Sequence, residues 1–378
     1  CGNRLASCAF GFSQAGAMYL RAMLFFALSA AEPLVTVIVS RHGIRTPYPP
    51  GGEGNLTQES MSKYTTKIFP PCWPPGVGSS VWGTSETAGL TPHGGRQVWH
   101  MGVWMGSSNF SAVSCDELAI YSDTHSQRDN ETATNWTRGA FPKCDIQEGD
   151  LIGDPDKFLF NDGSNQDLCS YPSEKVIRSL LGDNLEAVKT AWLSQIQLVD
   201  SVVHCCPDTS LCEGKLPCNL SSLPMKYVGK AWAATAGALD MTVFWAEFFL
   251  LEYLNGNQQF AQGMLGLPQL VDLYRMAVEN LEVMDGRLAG GTFESTMAAH
   301  ILGSLVQARD KKQVEGIGHK PETRVVYMAG HDTNLLLLRL LLGLQWQSDG
   351  WARNALPPGG QLIFQLEEAP GGPAVSAF

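Results

Sequence analysis

Seven consecutive residues, Arg41-His42-Gly43-Ile44-Arg45-Thr46-Pro47, set one imidazole among two guanidinium groups; far downstream, Gly330-His331-Asp332-Thr333-Asn334 sets a second imidazole beside a carboxyl. A neutral imidazole is a competent nucleophile toward phosphorus, and a phosphohistidine divides hydrolysis into two easier transfers. Guanidinium forks match the negative charge spread over three phosphoryl oxygens and stabilise it without a metal. The leaving alkoxide is a strong base, so a protonated carboxyl beside it contributes roughly 10²- to 10⁴-fold as a general acid. Read this way, His42 attacks phosphorus, Arg41, Arg45, Arg128 and His331 hold the phosphate, and Asp332 protonates the leaving group and then activates water. The set calls for no metal and no cofactor, and the partner it implies is a small-molecule phosphate ester.

Such distant residues meet only if regular elements deliver them to one place. Residues 34–40 are a continuous β-branched run, the pattern of a central strand buried on both faces. Residues 117–123 and 324–330 read as two further short apolar strands, the first ending at Asp123 shortly before Arg128 and the second running into His331. Ligands bind beyond the carboxyl ends of strands in open α/β sheets, so three strands bring all six side chains to what could be one edge of one sheet. Residues 361–367 alternate after a Pro357-Pro358-Gly359-Gly360 turn and predict a half-exposed or edge strand. A helix is expected from Thr91 to about Trp104, a long loop region over 48–92, and helices over about 229–254 and 268–283. The expected fold is α/β: a central mixed, mostly parallel sheet flanked by helices, built from residues 33–150 and 288–378. A largely helical inserted domain, 151–287, is expected to overhang the active-site edge.

Bland roles compete for some of these residues. His331 and Asp332 could cap the helix that starts near Asn334, a role compatible with chemistry. The remaining histidines lack metal-ligand spacing and read as structural or solvated. Arg287, before a helix start, is a further candidate for reaching a substrate phosphate.

A net charge of -11 excludes a nucleic-acid binder, which needs clustered Lys and Arg to neutralise many phosphates. Ten cysteines without CxxC pairs, and five Asn-x-Ser/Thr sequons at Asn55, Asn109, Asn130, Asn135 and Asn219, point to disulfides and a secretory or periplasmic compartment. Residues 18–31 have an arginine, about ten apolar residues and then small ones, so 1–31 is expected to be a signal peptide, too short to span a bilayer.

The heptapeptide at 41–47, with His331-Asp332, resembles the histidine acid phosphatase family, the clade of acid phosphatases and phytases with an RHGxRxP loop. The resemblance spans roughly residues 34–368 and implies the roles given above, with Asp123 to Ala133 matching the region of the family's third arginine. It also favours disulfides between Cys115 and Cys144 and between Cys212 and Cys218. The Gly-His-Asp-Thr-Asn form is most similar to bacterial periplasmic phytases. Those enzymes carry a lysine soon after the loop proline, where this chain has Tyr48-Pro49-Pro50. Three rivals stay open: a phosphohistidine mutase, a glucose-1-phosphatase-like sugar phosphatase, and a non-catalytic phosphate-binding protein.

Overall fold

A computed structural model describes residues 32–52, 54–70, 81–154, 159–160, 178–179, 182–230, 233–281 and 295–378. The expected leader at 1–31 and Arg287 lie outside the described residues. The strands are β1 (Val35–Arg41), β2 (Leu118–Ser122), β3 (Lys226–Lys230), β4 (Ala233–Ala236), β5 (Val325–Gly330), β6 (Gln361–Ala369) and β7 (Gly372–Ala377). The longer helices are α1 (Pro92–Asn109), α2 (Gln127–Ala140), α3 (Leu193–Val203), α4 (Ala238–Leu254), α5 (Leu267–Leu281), α6 (Ser295–Asp310) and α7 (Asp332–Leu342). The chain divides into two compact units, one of Cys1–His42, Arg96–Asn161 and Gly291–Phe378, the other of Gly43–Gly95 and Asp162–Gly290.

The first unit holds a five-stranded sheet in the order β2-β5-β1-β6-β7. It is mixed, as expected. Pairing is parallel from β2 through β5 to β1 and antiparallel from β1 through β6 to β7. All seven residues of β1 are buried, which is why its side chains do not alternate with polar ones. Helix α2 packs on β2 and β5, and α6 and α7 pack on β1. The Trp136 indole of α2 stacks on the Tyr327 ring of β5, with centroids 4.1 Å apart. α1 reaches this layer backbone to backbone: a Cβ on Gly102 would stand 2.1 Å from the Trp136 carbonyl oxygen. The Cys115–Cys144 disulfide closes the segment that carries β2 and α2.

The edge reading of 361–367 is corrected: β6 is an interior strand, because β7 pairs along its outer side. Gly372 and Pro373 hid β7, since both read as loop, yet a proline without an N–H is tolerated on an outermost strand. The helix expected from 229 is also shortened. Strands β3 and β4 pair antiparallel there, and α4 begins only after Gly237, whose φ is +116° and whose added Cβ would lie 2.2 Å from the Pro224 carbonyl oxygen.

Within the second unit α3, α4 and α5 pack together, and Phe69, Trp82, Trp245, Phe248 and Phe249 interlock as its aromatic core. The Cys212–Cys218 pair lies in this unit.

One buried polar group sets a pH dependence for the first unit. The Tyr121 hydroxyl, whose pKa burial raises to about 12, keeps its proton and lies 2.9 Å from His319 Nδ1; the His300 ring sits 4.8 Å from that of Tyr121. Burial lowers the pKa of both histidines from 6.5 to about 4, with Asp154 opposing the shift at His300 and His300 adding to it at His319. Between these values the unfolded chain binds more protons than the folded one, so the free energy of unfolding should fall by roughly 3 kcal/mol for each histidine as pH drops through that window. In denaturant titrations His319→Gln should flatten the slope relative to wild type. An unaltered slope would show that the pair is not held neutral.

Candidate active site

The register of three parallel strands brings the two motifs together. Arg41 of β1 pairs with Gly330 of β5, and Ser122 of β2 pairs with Ala329 of β5. The next residue of each strand, His42, His331 and Asp123, therefore emerges along the carboxyl edge of the sheet. Backbone bonds fix this level: the His42 N–H donates to the Gly330 carbonyl at 2.8 Å and the Asp123 N–H to the Ala329 carbonyl at 3.3 Å. Because β5 lies between β1 and β2, His331 is central. A Cβ at Gly330 would stand 2.7 Å from both Asn334 Oδ1 and the Phe160 ring, so any larger residue here would have to displace those side chains. Asn334 Oδ1 in turn accepts from the His331 N–H at 2.8 Å and holds the turn into α7.

His42 is 2% exposed, and its ring stands edge-on to that of His331 with centroids 6.1 Å apart. Arg41, equally buried, places Nη2 2.9 Å from Asp332 Oδ2 and donates through Nη1 to the Leu356 carbonyl. Asp332 opens α7, where its Oδ1 accepts from the Thr333 N–H at 3.0 Å. Arg128, from the first turn of α2, brings Nη2 to 3.3 Å from His331 Nδ1. The opposite ring nitrogen, Nε2, lies 3.0 Å from Asp123 Oδ2. Burial lowers the pKa of His331, but Asp129 and then Asp123 outweigh it, and the net direction is upward.

The first unit thus gathers Arg41, His42, Arg128, His331 and Asp332 at one sheet edge. Arg45 belongs to the second unit. There it pairs with Glu247 Oε1 of α4 at 3.0 Å through Nη2, donates through Nη1 to the Thr46 carbonyl, and lies over the Tyr48 ring at 4.7 Å.

Three carboxylates escaped the sequence reading as site residues: Asp123, Asp129 and Glu247. Asp123 had a signal, its place at the end of a strand. Glu247 had a weaker one, as an acid in the otherwise apolar run Phe244-Trp245-Ala246-Glu247-Phe248-Phe249. Asp129 had none beyond following Arg128. Asp123, Asp129 and His331 bring ligand-type atoms within 4.8 Å of one another, but Arg128 already addresses the imidazole nitrogen facing Asp129 and would repel a cation.

The sequence profile of the histidine phosphatase superfamily (branch 2) matches residues 35–370. Phytase AppA of Escherichia coli (strain K12) is 25% identical over 352 residues, 87% of this chain and 75% of that protein. Two solved structures share the fold. The phytase of Hafnia alvei in complex with myo-inositol hexakis sulphate superposes with a TM-score of 0.69 at 21% identity, covering 93% of this chain and 85% of that one. The phytase of Citrobacter braakii does so with a TM-score of 0.68 at 24% identity, over 92% and 84%.

Proposed function

We propose, from the fact that this chain belongs to branch 2 of the histidine phosphatase superfamily and is a phosphomonoester hydrolase, that His42 carries the phosphoryl group as a covalent intermediate. An His42 ring nitrogen attacks phosphorus, the bond from phosphorus to the ester oxygen breaks, and the proton of Asp332 goes to the departing alkoxide. In the second half the Asp332 carboxylate takes a proton from water, whose oxygen bonds to phosphorus as the phosphorus–nitrogen bond breaks and the His42 imidazole leaves. Arg41, Arg45, Arg128 and His331 bind the phosphoryl oxygens and offset the charge spread over them in transit.

The observation that carries this reading is the ion pair, 2.9 Å long, between Arg41, which ends β1 and precedes His42, and Asp332, which opens α7. An arriving phosphate dianion competes for the Arg41 guanidinium and sets a second negative charge beside Asp332. Both effects favour the protonated carboxyl that a general acid requires.

The proposed substrate class includes inositol phosphates, supported by the phytase names of the relatives. The phosphate count of the substrate is set elsewhere in this reading. Tyr48-Pro49-Pro50 stands in the stretch after the loop proline where phytases with this motif carry a lysine, and Glu247 takes up part of the Arg45 charge. Both features favour esters with few phosphates, such as a sugar phosphate, over a hexakisphosphate. A release assay across pH, with p-nitrophenyl phosphate, glucose 1-phosphate and inositol hexakisphosphate, tests both levels. Free phosphate on the acid side is expected, and none from any ester would overturn the reading; transfer to a second acceptor instead would identify a mutase.

The disulfides Cys115–Cys144 and Cys212–Cys218 support an oxidising compartment, and the proposed location is outside the cytoplasm. No helix of the described residues is long and apolar enough to cross a membrane. Of the sequons, exposed Asn55 suits a glycan, whereas Asn130 is 7% exposed and donates its amide to Glu148.

A further inference from the structure

Asp129 takes no part in the reaction just described, yet at 0% exposure it is the most buried of the described charged side chains. A carboxylate withdrawn from water is strongly unfavourable unless a charge or hydrogen bonds compensate it. Neither Asp129 oxygen accepts a bond in good geometry. Its counter-charges are His331, with Nδ1 3.6 Å from Oδ2, and Arg128, with Nε 3.9 Å from the same oxygen.

His331 Nδ1 therefore faces two incompatible neighbours. A neutral imidazole that donates through Nε2 to Asp123 keeps a lone pair on Nδ1, which can accept from Arg128 Nη2 at 3.3 Å. An imidazolium carries a proton on Nδ1, has nothing to offer Arg128, and turns toward Asp129 instead. The other groups around the ring are His42 from the end of β1, with ring centroids 6.1 Å apart, and Asp332, which follows in the chain and is held by Arg41.

We propose that Asp129 is a positioning residue: it draws the second proton onto His331, and that proton moves the Nδ1 partner from Arg128 to Asp129, turning the Arg128 guanidinium over to the substrate phosphate. This rests on the phosphate-binding reading of Arg128 and His331, in which the imidazolium, its two N–H groups given to Asp123 and Asp129, acts on the phosphate through its positive charge. The upward direction of the His331 pKa, with Asp129 its largest favourable cause, agrees with it. Burial raises the pKa of Asp129 itself, against the pull of His331 and Arg128, so the two groups compete for protons and share the switch. The consequence is an oxyanion site that tightens as the solution becomes more acid.

Sulfate is the probe, because its charge stays constant over the range of interest. Its competitive inhibition of p-nitrophenyl phosphate hydrolysis should weaken about tenfold as pH rises through the titration of His331. In Asp129→Asn the same weakening should occur about one pH unit lower, and at the acid end the two affinities should converge. Should the variant not fold, nitrogen-detected imidazole spectra of wild type give the same answer: His331 should gain its Nδ1 proton above the ordinary histidine pKa, and a proton gained only below that value overturns the proposal. Sulfate profiles that superpose for the two proteins, or differ by one factor at every pH, overturn it as well. If sulfate competes at no pH, the phosphate-site reading itself fails, an outcome distinct from failure of the switch.

Discussion

Replacing His42 by alanine is expected to reduce turnover by roughly 10⁴-fold or more, the scale on which loss of a covalent nucleophile acts. The loss should be chemical, not structural. Both backbone bonds of His42, its N–H to the Gly330 carbonyl and its carbonyl to the Gly359 N–H, are independent of the side chain, and the phosphate-binding groups come from other residues. The variant should therefore melt close to wild type and still bind sulfate while releasing almost no phosphate. Rapid quenching into alkali during turnover should trap a phosphorylated wild-type protein whose label is lost in acid, as a phosphoramidate is, and no trapped species in H42A. Sustained hydrolysis by a folded H42A would remove the covalent mechanism and leave direct attack by water as the remaining route.

The parts of this site legible in the sequence are those that strand ends explain. A β-branched run followed at once by Arg41 and His42, and a second apolar run followed by His331 and Asp332, place four side chains by topology alone, and parallel pairing of β1 with β5 puts them level. Arg128 needed one inference more, that the turn after β2 leads directly into a helix. Asp129 was illegible because its meaning lies in a neighbour some 200 positions away: next to Arg128 in sequence it reads as an ordinary acid in a first helical turn, and only contact with His331 makes it a buried counter-charge. Elements went astray where local punctuation misled. Gly372 and Pro373 disguised a strand, and Ala233, Ala234 and Ala236 lent helical character to strand β4, which only Gly237 separates from α4.

Asp332→Asn should separate two roles that one carboxylate fills. Asparagine keeps the shape and an oxygen to accept from the Thr333 N–H, so α7 should begin as before. It cannot give up a proton to an alkoxide, and it gives Arg41 no counter-charge. Loss of the proton is felt in proportion to the basicity of the leaving group: glycerol 2-phosphate, which leaves as an alkoxide, should be hydrolysed about 10²- to 10⁴-fold more slowly. p-Nitrophenyl phosphate leaves as a stabilised phenolate, and its first step should be much less affected. Loss of the ion pair acts otherwise, because a guanidinium released from Asp332 is available to any phosphate and changes the binding of both esters alike. A plot of kcat/KM against leaving-group pKa should therefore be much steeper in the variant than in wild type. Equal slopes with a common offset would mean that Asp332 serves only to hold Arg41, and that the leaving group takes its proton from another donor.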